Sequence, residues 1–460
     1  MAPAPGHSAR TPAMTTPPSL PTRPGMTVPL PGPLHSHREQ LAELVELGYT
    51  DIWSAEADSS DGFTPLALAA AWEPRLRLGT AIVPAFTRSP ACFAQCVASL
   101  ADAAPGRFAI GIGTSSNVIV ERWNGIPFVE PYKKVRDIVR FLRDALTGEK
   151  VTATYDTFDI KGFRLGIRPE QAPPILVAGL REGMLRLAGR EADGAIINWL
   201  SPEDVATVAP VVLGAADGAE REIVARVFVC PSENVEAVRA GARYVIAAYL
   251  NVPVYAEFHR WLGRGDELQG MWDAWAAGDR KAAMAAIPDS VVDALVVHGS
   301  PEQCRKRLQA YFDNGVTTSS LAILGFDPDV SFWEAARALA PRQPPRTRFV
   351  RVDGDPMDTL SDAIARLQAE GYTGNWFATD DHLLECSESG AAADPATVTI
   401  EHTVRFEGQS DPDDEVILYA LSEPGGRRGV YSAPYGSAMP AADVAVIALL
   451  RSRSADDATN

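Results

Sequence analysis

The sequence predicts an α/β fold class, a (β/α)8 TIM barrel with insertions followed by a small α+β domain, on three observations. Eight short apolar runs alternate with helical patterns over residues 26–324, as in a barrel of parallel strands. The runs 76–83 and 107–113 suit strands buried on both faces, and the helical pattern between them makes a βαβ unit. The loop at 111–116 lacks the third glycine of a dinucleotide-binding loop, which disfavours the alternative, a doubly wound open sheet.

Strand and helix signals follow one another in a regular order along the barrel part. The strands are expected at 26–30, 50–54, 76–83, 107–113, 175–178, 194–198, 222–230 and 318–324. The helices between them are expected at 36–47, 64–72, through Phe93, Val97 and Leu100, and at 131–146, 182–189, 202–213 and 301–312. Stop signals such as Gly48 and Pro105-Gly106 separate them. A hairpin at 151–160 with its turn at Lys161-Gly162, and added helices over 235–286, are the insertions.

Composition shifts divide the chain into five parts. Residues 1–25 are rich in Pro and Thr and predict a disordered leader before the barrel domain, 26–340. A proline-rich linker at 341–349 precedes a small α+β domain at 350–450, and a polar tail occupies 451–460. In the small domain we expect a helix at 356–370, strands around 376–378, 397–406, 415–421 and 429–435, and a hairpin turn at 424–426.

Charge and cysteine usage restrict the class of partner. The formal net charge of −17 disfavours nucleic acid, whose phosphates need a basic face. Apolar runs long enough to span a membrane, about 18 residues, do not occur. Five cysteines without a CxxC pair indicate a cytoplasmic protein. Cys92 and Cys96 lie one helical turn apart and could share a metal, but two small apolar residues on a helix face is the favoured interpretation, so we expect no metal site.

Polar side chains follow several predicted strands at the point where each strand ends. They are Glu56 after the second strand, Thr87 and Arg88 after the third, 114–117 after the fourth and 179–181 after the fifth. Because the carboxyl ends of barrel strands share one rim, these residues describe a cleft with hydroxyls, backbone N–H groups, an arginine and a carboxylate. Such a cleft suits a phosphate-bearing cofactor and a small-molecule substrate. HExxH, GxSxG and Walker motifs are absent, which disfavours metallohydrolases, serine hydrolases and NTPases.

Five segments of the barrel part resemble the bacterial luciferase-like superfamily, in particular its F420-dependent oxidoreductase branch. They are GYTDIWSAE (48–56), LGTAIVPAFTRSP (78–90), PGRFAIGIGTSS (105–116), VAGLREGMLRLAGREADGAIINW (177–199) and HGSPEQCRKRL (298–308). The resemblance implies hydride transfer between coenzyme F420 and a small organic substrate. It also implies a homodimer, since family members are often dimeric. The C-terminal domain resembles small bacterial proteins of unassigned function.

The same resemblance implies which residues hold the cofactor. It places a cis peptide at Ala81–Ile82, behind the cofactor ring, and ring-edge and phosphate contacts on the loops that follow the next two strands. The expected cofactor-binding residues are Ala81, Ile82, Thr114, Ser115, Ser116, Ala178, Gly179, Leu180 and Arg181. Ser115 and Ser116 stand where the sugar-phosphate-oxidising members have Gly and Glu, so that activity is not expected.

Proton transfer is assigned by position to Glu56, with His35 and His37 as alternatives. Burial of the Glu56 carboxyl against Trp53 would raise its pKa toward neutrality. A structural glutamate bonded to backbone N–H groups is the competing interpretation.

Two further functions stay open at this point. One is an FMN-dependent monooxygenase of the same fold, which uses O2 and reduced flavin supplied by a partner reductase. The other is a non-catalytic cofactor-binding or regulatory fusion. Gly79, Gly111, Gly113 and Gly179 argue against the latter, since small residues let a planar cofactor approach the backbone.

Overall fold

A computed structural model describes residues 20–341, 360–379, 381–387, 389–406, 416–434 and 440–452. The chain divides into two compact units, Met1–Arg342 and Gln343–Asn460. Residues 1–19 of the predicted leader and all of the predicted linker except residue 341 lie outside the described residues. Among the described helices, none is both long and apolar enough to cross a bilayer.

The first unit is a closed barrel of eight parallel strands, which confirms the predicted fold class. Its strands are β1 (Arg23–Val28), β2 (Asp51–Ser54), β3 (Arg77–Thr80) with its continuation β4 (Val83–Pro84), β5 (Phe108–Gly113), β8 (Ile175–Ala178), β9 (Gly194–Asn198), β10 (Glu222–Cys230) and β12 (Thr318–Ile323). Strand β10 pairs with both β9 and β12, and β12 pairs with β1, so the sheet has no open edge. All carboxyl ends therefore meet at one rim.

Helices alternate with these strands and cover the barrel. They are α1 (His37–Glu46), α2 (Thr64–Trp72), α3 (Pro90–Ala103), α4 (Pro131–Leu146), α5 (Glu182–Glu191), α6 (Pro202–Gly214), α7 (Val235–Leu250), α8 (Pro253–Trp261), α9 (Gly265–Ala276), α10 (Arg280–Ala285), α11 (Asp289–Leu295), α12 (Pro301–Asp313) and α13 (Phe332–Ala338). Helices α8 to α11 are additions between β10 and β12 and form, with α7, a separate hydrophobic cluster around Leu250 and Met271.

Three sequence predictions for the barrel unit need correction. Strand β1 starts at Arg23 rather than at residue 26, because it pairs with β12 from that residue, so the last residues of the predicted leader belong to the barrel. The hairpin strands β6 (Val151–Thr154) and β7 (Asp159–Phe163) enclose a turn at residues 155–158. Gly162 lies inside β7, where a register shift accommodates its positive φ, and not in the turn.

A further strand, β11 (Val296–His298), was not predicted. It follows α11 without a loop and has only three residues, which leaves no periodicity to detect. It pairs only with the last residues of β10 and is not one of the eight barrel strands, so the predicted eighth strand keeps its place.

The barrel interior is filled in layers. Trp53, Leu176 and Val224 form part of a buried cluster above the amino-terminal end of the strands. The Trp53 ring occupies the space beside Gly79, where a Cβ would lie 2.2 Å from the ring. Strand residues that face inward therefore close the centre of the barrel and leave space only at the carboxyl ends.

An ion-pair layer closes the amino-terminal end of the barrel. The Arg77 guanidinium donates to Asp51 at 3.0 Å and to both oxygens of Glu222 at 2.7 Å, and Thr318 donates to Glu222 at 2.7 Å. The carboxylate of Asp51 is fully buried, and burial raises its pKa. Burial would also raise the pKa of Glu222, but the hydrogen bonds and charge of Arg77 outweigh that effect and lower it. This layer joins β2, β3, β10 and β12.

In the part of the second unit that the structure describes, a seven-stranded sheet carries one α-helix on each face. Its strands are β13 (Gly374–Ala378), β14 (Leu384–Cys386), β15 (Ala392–Ala393), β16 (Thr399–Phe406), β17 (Val416–Ser422), β18 (Arg428–Pro434) and β19 (Arg451–Ser452), and its helices are α14 (Leu360–Ala369) and α15 (Ala441–Leu449). Alternate residues of β17 face opposite sides: Tyr419 lies in the cluster with Val446 of α15, and Leu418 in the cluster with Leu367 of α14. The predicted polar tail begins too early, because Arg451 and Ser452 pair with β16.

We expect Arg77→Met to lower the free energy of unfolding of the barrel by about 3–5 kcal/mol, because it leaves two buried carboxylates with only the half-exposed Arg23 nearby. Urea unfolding followed by tryptophan fluorescence measures the change. Arg186→Met is the control, since Arg186 pairs with Glu182 on an exposed helix face and should cost no more than about 0.5 kcal/mol. If both variants lost the same free energy of unfolding, the ion-pair layer would stabilise the barrel no more than an exposed ion pair does.

We propose that the two units fold independently, since each has its own hydrophobic core. A chain that ends at Arg342 should be soluble and should keep the thermal unfolding midpoint of the barrel transition seen in the full chain. Circular dichroism of the two chains makes the comparison. Aggregation of the shorter chain, or a large fall in its midpoint, would contradict independent folding.

Candidate active site

A cavity of about 1110 Å³ opens at the carboxyl ends of the barrel strands. The loops after β2, β5 and β8 and the break between β3 and β4 form one side, and β9, β10, α7 and α8 form the other. Its volume is in the range of cofactor and ligand pockets, which reach about 1,000 Å³. All nine residues predicted to bind a cofactor line it: Ala81, Ile82, Thr114, Ser115, Ser116, Ala178, Gly179, Leu180 and Arg181.

The wall formed by β3 and β4 is interrupted at Ala81–Ile82. The peptide bond between these residues is cis, as the resemblance predicts. The backbone there is held from outside by the N–H of Glu56, which donates to the carbonyl of Ile82 at 3.0 Å. Gly113 and Ala178 lie beside Ile82, with a Cβ on Gly113 only 3.0–3.1 Å from both side chains. Gly113 and Ala178, both small, therefore make up this part of the wall together with Ile82.

The loop after β5 offers backbone groups more than side-chain hydroxyls. Ser115 has a positive φ of 59°, a left-handed conformation that turns the chain at the rim. The hydroxyl of Ser116 accepts a hydrogen bond from the N–H of Ile119 at 3.3 Å and so holds the π-helical turn Val118–Trp123. The hydroxyl of Thr114 donates to the carbonyl of Ser115 at 3.1 Å.

The start of α5 faces the same cavity. Arg181 is the residue before the helix, and its side chain does not cap the helix. The first intrahelical hydrogen bond runs from the N–H of Leu185 to the carbonyl of Arg181 at 3.1 Å. The backbone N–H groups of Glu182, Gly183 and Met184 precede that bond, and all three residues line the cavity. These N–H groups and the exposed Arg181 side chain make a site for an anion.

The Glu56 carboxylate lies at the rim and is surrounded by donors. Thr87 donates to Oε1 at 3.0 Å, the N–H of Gly62 donates to Oε2 at 3.0 Å, and the Arg88 guanidinium lies 2.8 Å from both oxygens. Three donors therefore contact the carboxylate, and two of them come from the loop after β4. The predicted acid–base role of Glu56 is untested, and the contacts favour a role in joining the loops after β2 and β4.

The two predicted histidines lie away from the cavity. His37 is 4% exposed, begins α1 and makes a hydrogen bond through Nε2 to the carbonyl of Gly32 at 3.1 Å. It lines a small hollow among Leu41, Ile52 and Trp72 instead. His35 is exposed in the short helical turn Leu34–Ser36. Their predicted place on the rim is wrong, because the loop after β1 turns outward at Pro31-Gly32 into α1.

The argument from glycines also needs correction. A Cβ on Gly79 would strike the Trp53 ring, and one on Gly111 would lie 2.0 Å from the carbonyl oxygen of Thr80. Both glycines are required by packing inside the barrel, so they carry no information about a cofactor. Gly113 and Gly179 do line the cavity.

Several polar residues of the far wall were missed from the sequence, among them Asn198 at the end of β9, Arg226 within β10 and Tyr255 of α8. Asn198 donates to the phenol oxygen of Tyr255 at 3.5 Å, and burial raises the pKa of Tyr255 to about 12. One signal was available: an arginine interrupts the run EIVARVFVC, and a charged residue in a strand buried on both faces needs a partner or a ligand.

Comparisons with known proteins found relatives of the barrel unit in sequence and in structure. In sequence, the 5,10-methylenetetrahydromethanopterin reductase of Methanolobus tindarius is 27% identical over 294 residues, 61% of this chain and 87% of that protein. A protein of Mycobacterium tuberculosis, whose name provisionally assigns it as a coenzyme F420-dependent oxidoreductase, is 26% identical over 312 residues, 62% of this chain and 90% of its own.

Among solved structures, the coenzyme F420 dependent tetrahydromethanopterin reductase from Methanopyrus kandleri shares the fold with a TM-score of 0.60 at 17% identity, covering 70% of this chain and 98% of that one. The profile of the luciferase-like monooxygenase family matches residues 14–318, more than half of the chain. The chain therefore belongs to the luciferase-like monooxygenase family.

Proposed function

We propose that this protein is an oxidoreductase that transfers a hydride between coenzyme F420 and a small organic substrate in the barrel cavity. The observation that carries the proposal is the convergence, in one cavity, of the Ala81–Ile82 wall, the loop after β5 and the start of α5. Relatives named for the use of coenzyme F420, or for reduction of a pterin, support the choice of cofactor.

The residues present fit a deazaflavin. Its planar ring system needs a flat wall without large side chains, and Ala81, Gly113 and Ala178 supply one. Its phosphate needs donors, and the N–H groups of the first turn of α5 supply them together with Arg181, while the Glu182 carboxylate of the same turn pairs with Arg186. The cavity volume leaves space for a substrate beside the ring.

When bound, the deazaflavin supplies a carbon centre that accepts or delivers a hydride. The chain contributes orientation and exclusion of water. The Ala81–Ile82 wall would hold one face of the ring and leave the other face to the substrate, and Ile196, Val252 and Trp261 add apolar lining to the same cavity. Glu56 holds the rim loops through Thr87 and Arg88.

The sequence left an FMN-dependent monooxygenase as the alternative, and cofactor affinity separates the two. We expect the purified chain to bind F420 more tightly than FMN, because the segment 78–90, which carries the cis peptide, resembles the F420 branch. Equilibrium titration followed by quenching of tryptophan or cofactor fluorescence gives both dissociation constants. FMN binding at least as tight as F420 binding would favour the monooxygenase. Failure of both cofactors to bind would favour a non-catalytic fusion.

Glu56→Gln tests the role of the rim carboxylate. The amide keeps the size but presents a donor where Arg88 or Gly62 already donates, so we expect the loops to loosen and F420 affinity to fall by about tenfold or more, the value of one charged hydrogen bond. Limited proteolysis should show faster cleavage at 57–62. Asp58→Asn is the control, since Asp58 is exposed in the same cavity.

Unchanged F420 affinity and unchanged proteolysis in Glu56→Gln would contradict the anchoring role. The acid–base role predicted from the sequence would then be the remaining explanation for a carboxylate at this position. The cytoplasmic location, the homodimer and the resemblance of the C-terminal unit are still predictions.

A further inference from the structure

Arg226 is a charged residue in the middle of a strand that is otherwise apolar. It lies in β10, between Ala225 and Val227, which are both buried. Its side chain points into the barrel and lines the cavity. An arginine in such a position is normally paired with a carboxylate, because an isolated buried charge costs several kcal/mol.

The neighbours of Arg226 do not supply that carboxylate. In register it pairs with Asn198 of β9 and with Ser320 of β12, both uncharged, and the Ser320 hydroxyl shares a hydrogen bond with Thr27 at 3.0 Å. Among the described residues, the Nε of Arg226 is shielded from solvent and has no hydrogen-bond partner. Arg77, another arginine inside the barrel, differs in this respect, because it donates to the two carboxylates of Asp51 and Glu222.

Polar groups next to Arg226 present donors to the cavity. The Oδ1 of Asn198 already accepts from the N–H of Trp199 at 2.9 Å, and its Nδ2 donates to the phenol oxygen of Tyr255. That arrangement leaves the O–H of Tyr255 free to donate, and its raised pKa keeps the proton on at neutral pH. A guanidinium and a phenol that both donate into one corner are complementary to an oxyanion.

An aromatic stack fixes the direction of the guanidinium. It lies 5.2 Å from the centroid of the Phe228 ring, which stacks on Trp199 at 4.0 Å. Tyr249 packs on the other side of Trp199 at 5.2 Å. Trp199 is 1% exposed and has a positive φ of 54°, so its position is set by the fold. The cation is therefore preorganised for a ligand.

The corner lies across the cavity from the cofactor wall. In the closed order of barrel strands, β10 is four strands from β3 in either direction. A ring against Ala81–Ile82 therefore faces Arg226 over the space left for the substrate. The phosphate site at the start of α5 is a different part of the same cavity.

We propose that Arg226, with Tyr255, binds a carboxylate on the substrate, so that the substrate is a small organic acid with an apolar body. This inference deepens the proposed function and shares its cavity. The apolar lining by Ile196, Val252 and Val254 suits the body, and the bidentate geometry of a guanidinium suits the carboxylate.

A matched pair of probes tests the charge preference. The full chain is titrated with benzoate and with benzamide, alone and with F420 present, by calorimetry at neutral pH. We expect benzoate to bind at least about tenfold more tightly than benzamide, the range of a hydrogen bond to a charged group. Benzenesulfonate separates a carboxylate from a tetrahedral oxyanion, and tighter binding of the sulfonate would overturn the choice of a carboxylate.

Variants test whether Arg226 causes the preference for benzoate over benzamide. Arg226→Gln should abolish it, and Arg226→Lys should keep part of it, because lysine retains the charge without the fork. Arg260→Gln is the matched control: Arg260 lines the same cavity, pairs with Glu257 and should keep the full preference when replaced. The urea midpoint of Arg226→Gln should change little, since the variant loses a ring contact with Phe228 but no ion pair.

Several results would overturn the assignment. Equal affinities for benzoate and benzamide, or no saturable benzoate binding, would do so. So would an Arg226→Gln variant that loses F420 affinity while it keeps the benzoate preference, because the arginine would then contact the cofactor. A chain that binds no F420 but shows an Arg226-dependent benzoate preference would contradict the proposed cofactor and leave the acid site standing.

Discussion

The ion-pair layer around Arg77 is the constraint on which the rest of the barrel depends. A parallel barrel of eight strands has two ends, and only one can be open if the interior is to stay packed. Arg77, Asp51, Glu222 and Thr318 connect four strands across the amino-terminal end. Trp53 fills the space above them, beside Gly79. Asn198 and Arg226, which β9 and β10 carry nearer their carboxyl ends, line the cavity instead.

The two interior arginines show how one fold separates stability from binding. Arg77 is matched by two carboxylates, and its removal leaves them unpaired. Arg226 lies nearer the carboxyl ends of the strands of the same barrel. Its neighbours in register, Asn198 and Ser320, are uncharged, and its Nε is shielded from solvent. A ligand in the cavity would supply the partner that the described residues do not give the Nε of Arg226. Residues that break a packing rule without a compensating contact are expected at functional sites.

Sequence reasoning succeeded where a signal is local. The bounds of β8, β9 and β10 agree with prediction, because continuous apolar runs end at turn residues. The rim could be predicted, since strand ends in a parallel barrel converge. The predictions that failed concern residues whose role depends on contacts with parts of the chain that are distant in sequence. The loop after β1 turns His35 and His37 outward, the Trp53 ring explains Gly79, and three donors surround Glu56. The arginine within β10 was visible in the sequence but was not weighed against its apolar neighbours.

Together the contacts give the cavity two regions of donors with apolar surface between them. One is the start of α5 with Arg181, and the other is Arg226 with Tyr255. Both attract anions, although the whole chain carries a formal charge of −17. On the proposed function, a cofactor would be held by its phosphate at the first region and by the Ala81–Ile82 wall, and an acid would be held by its carboxylate at the second. The separation of the two donor regions would then turn the apolar body of the acid toward the ring.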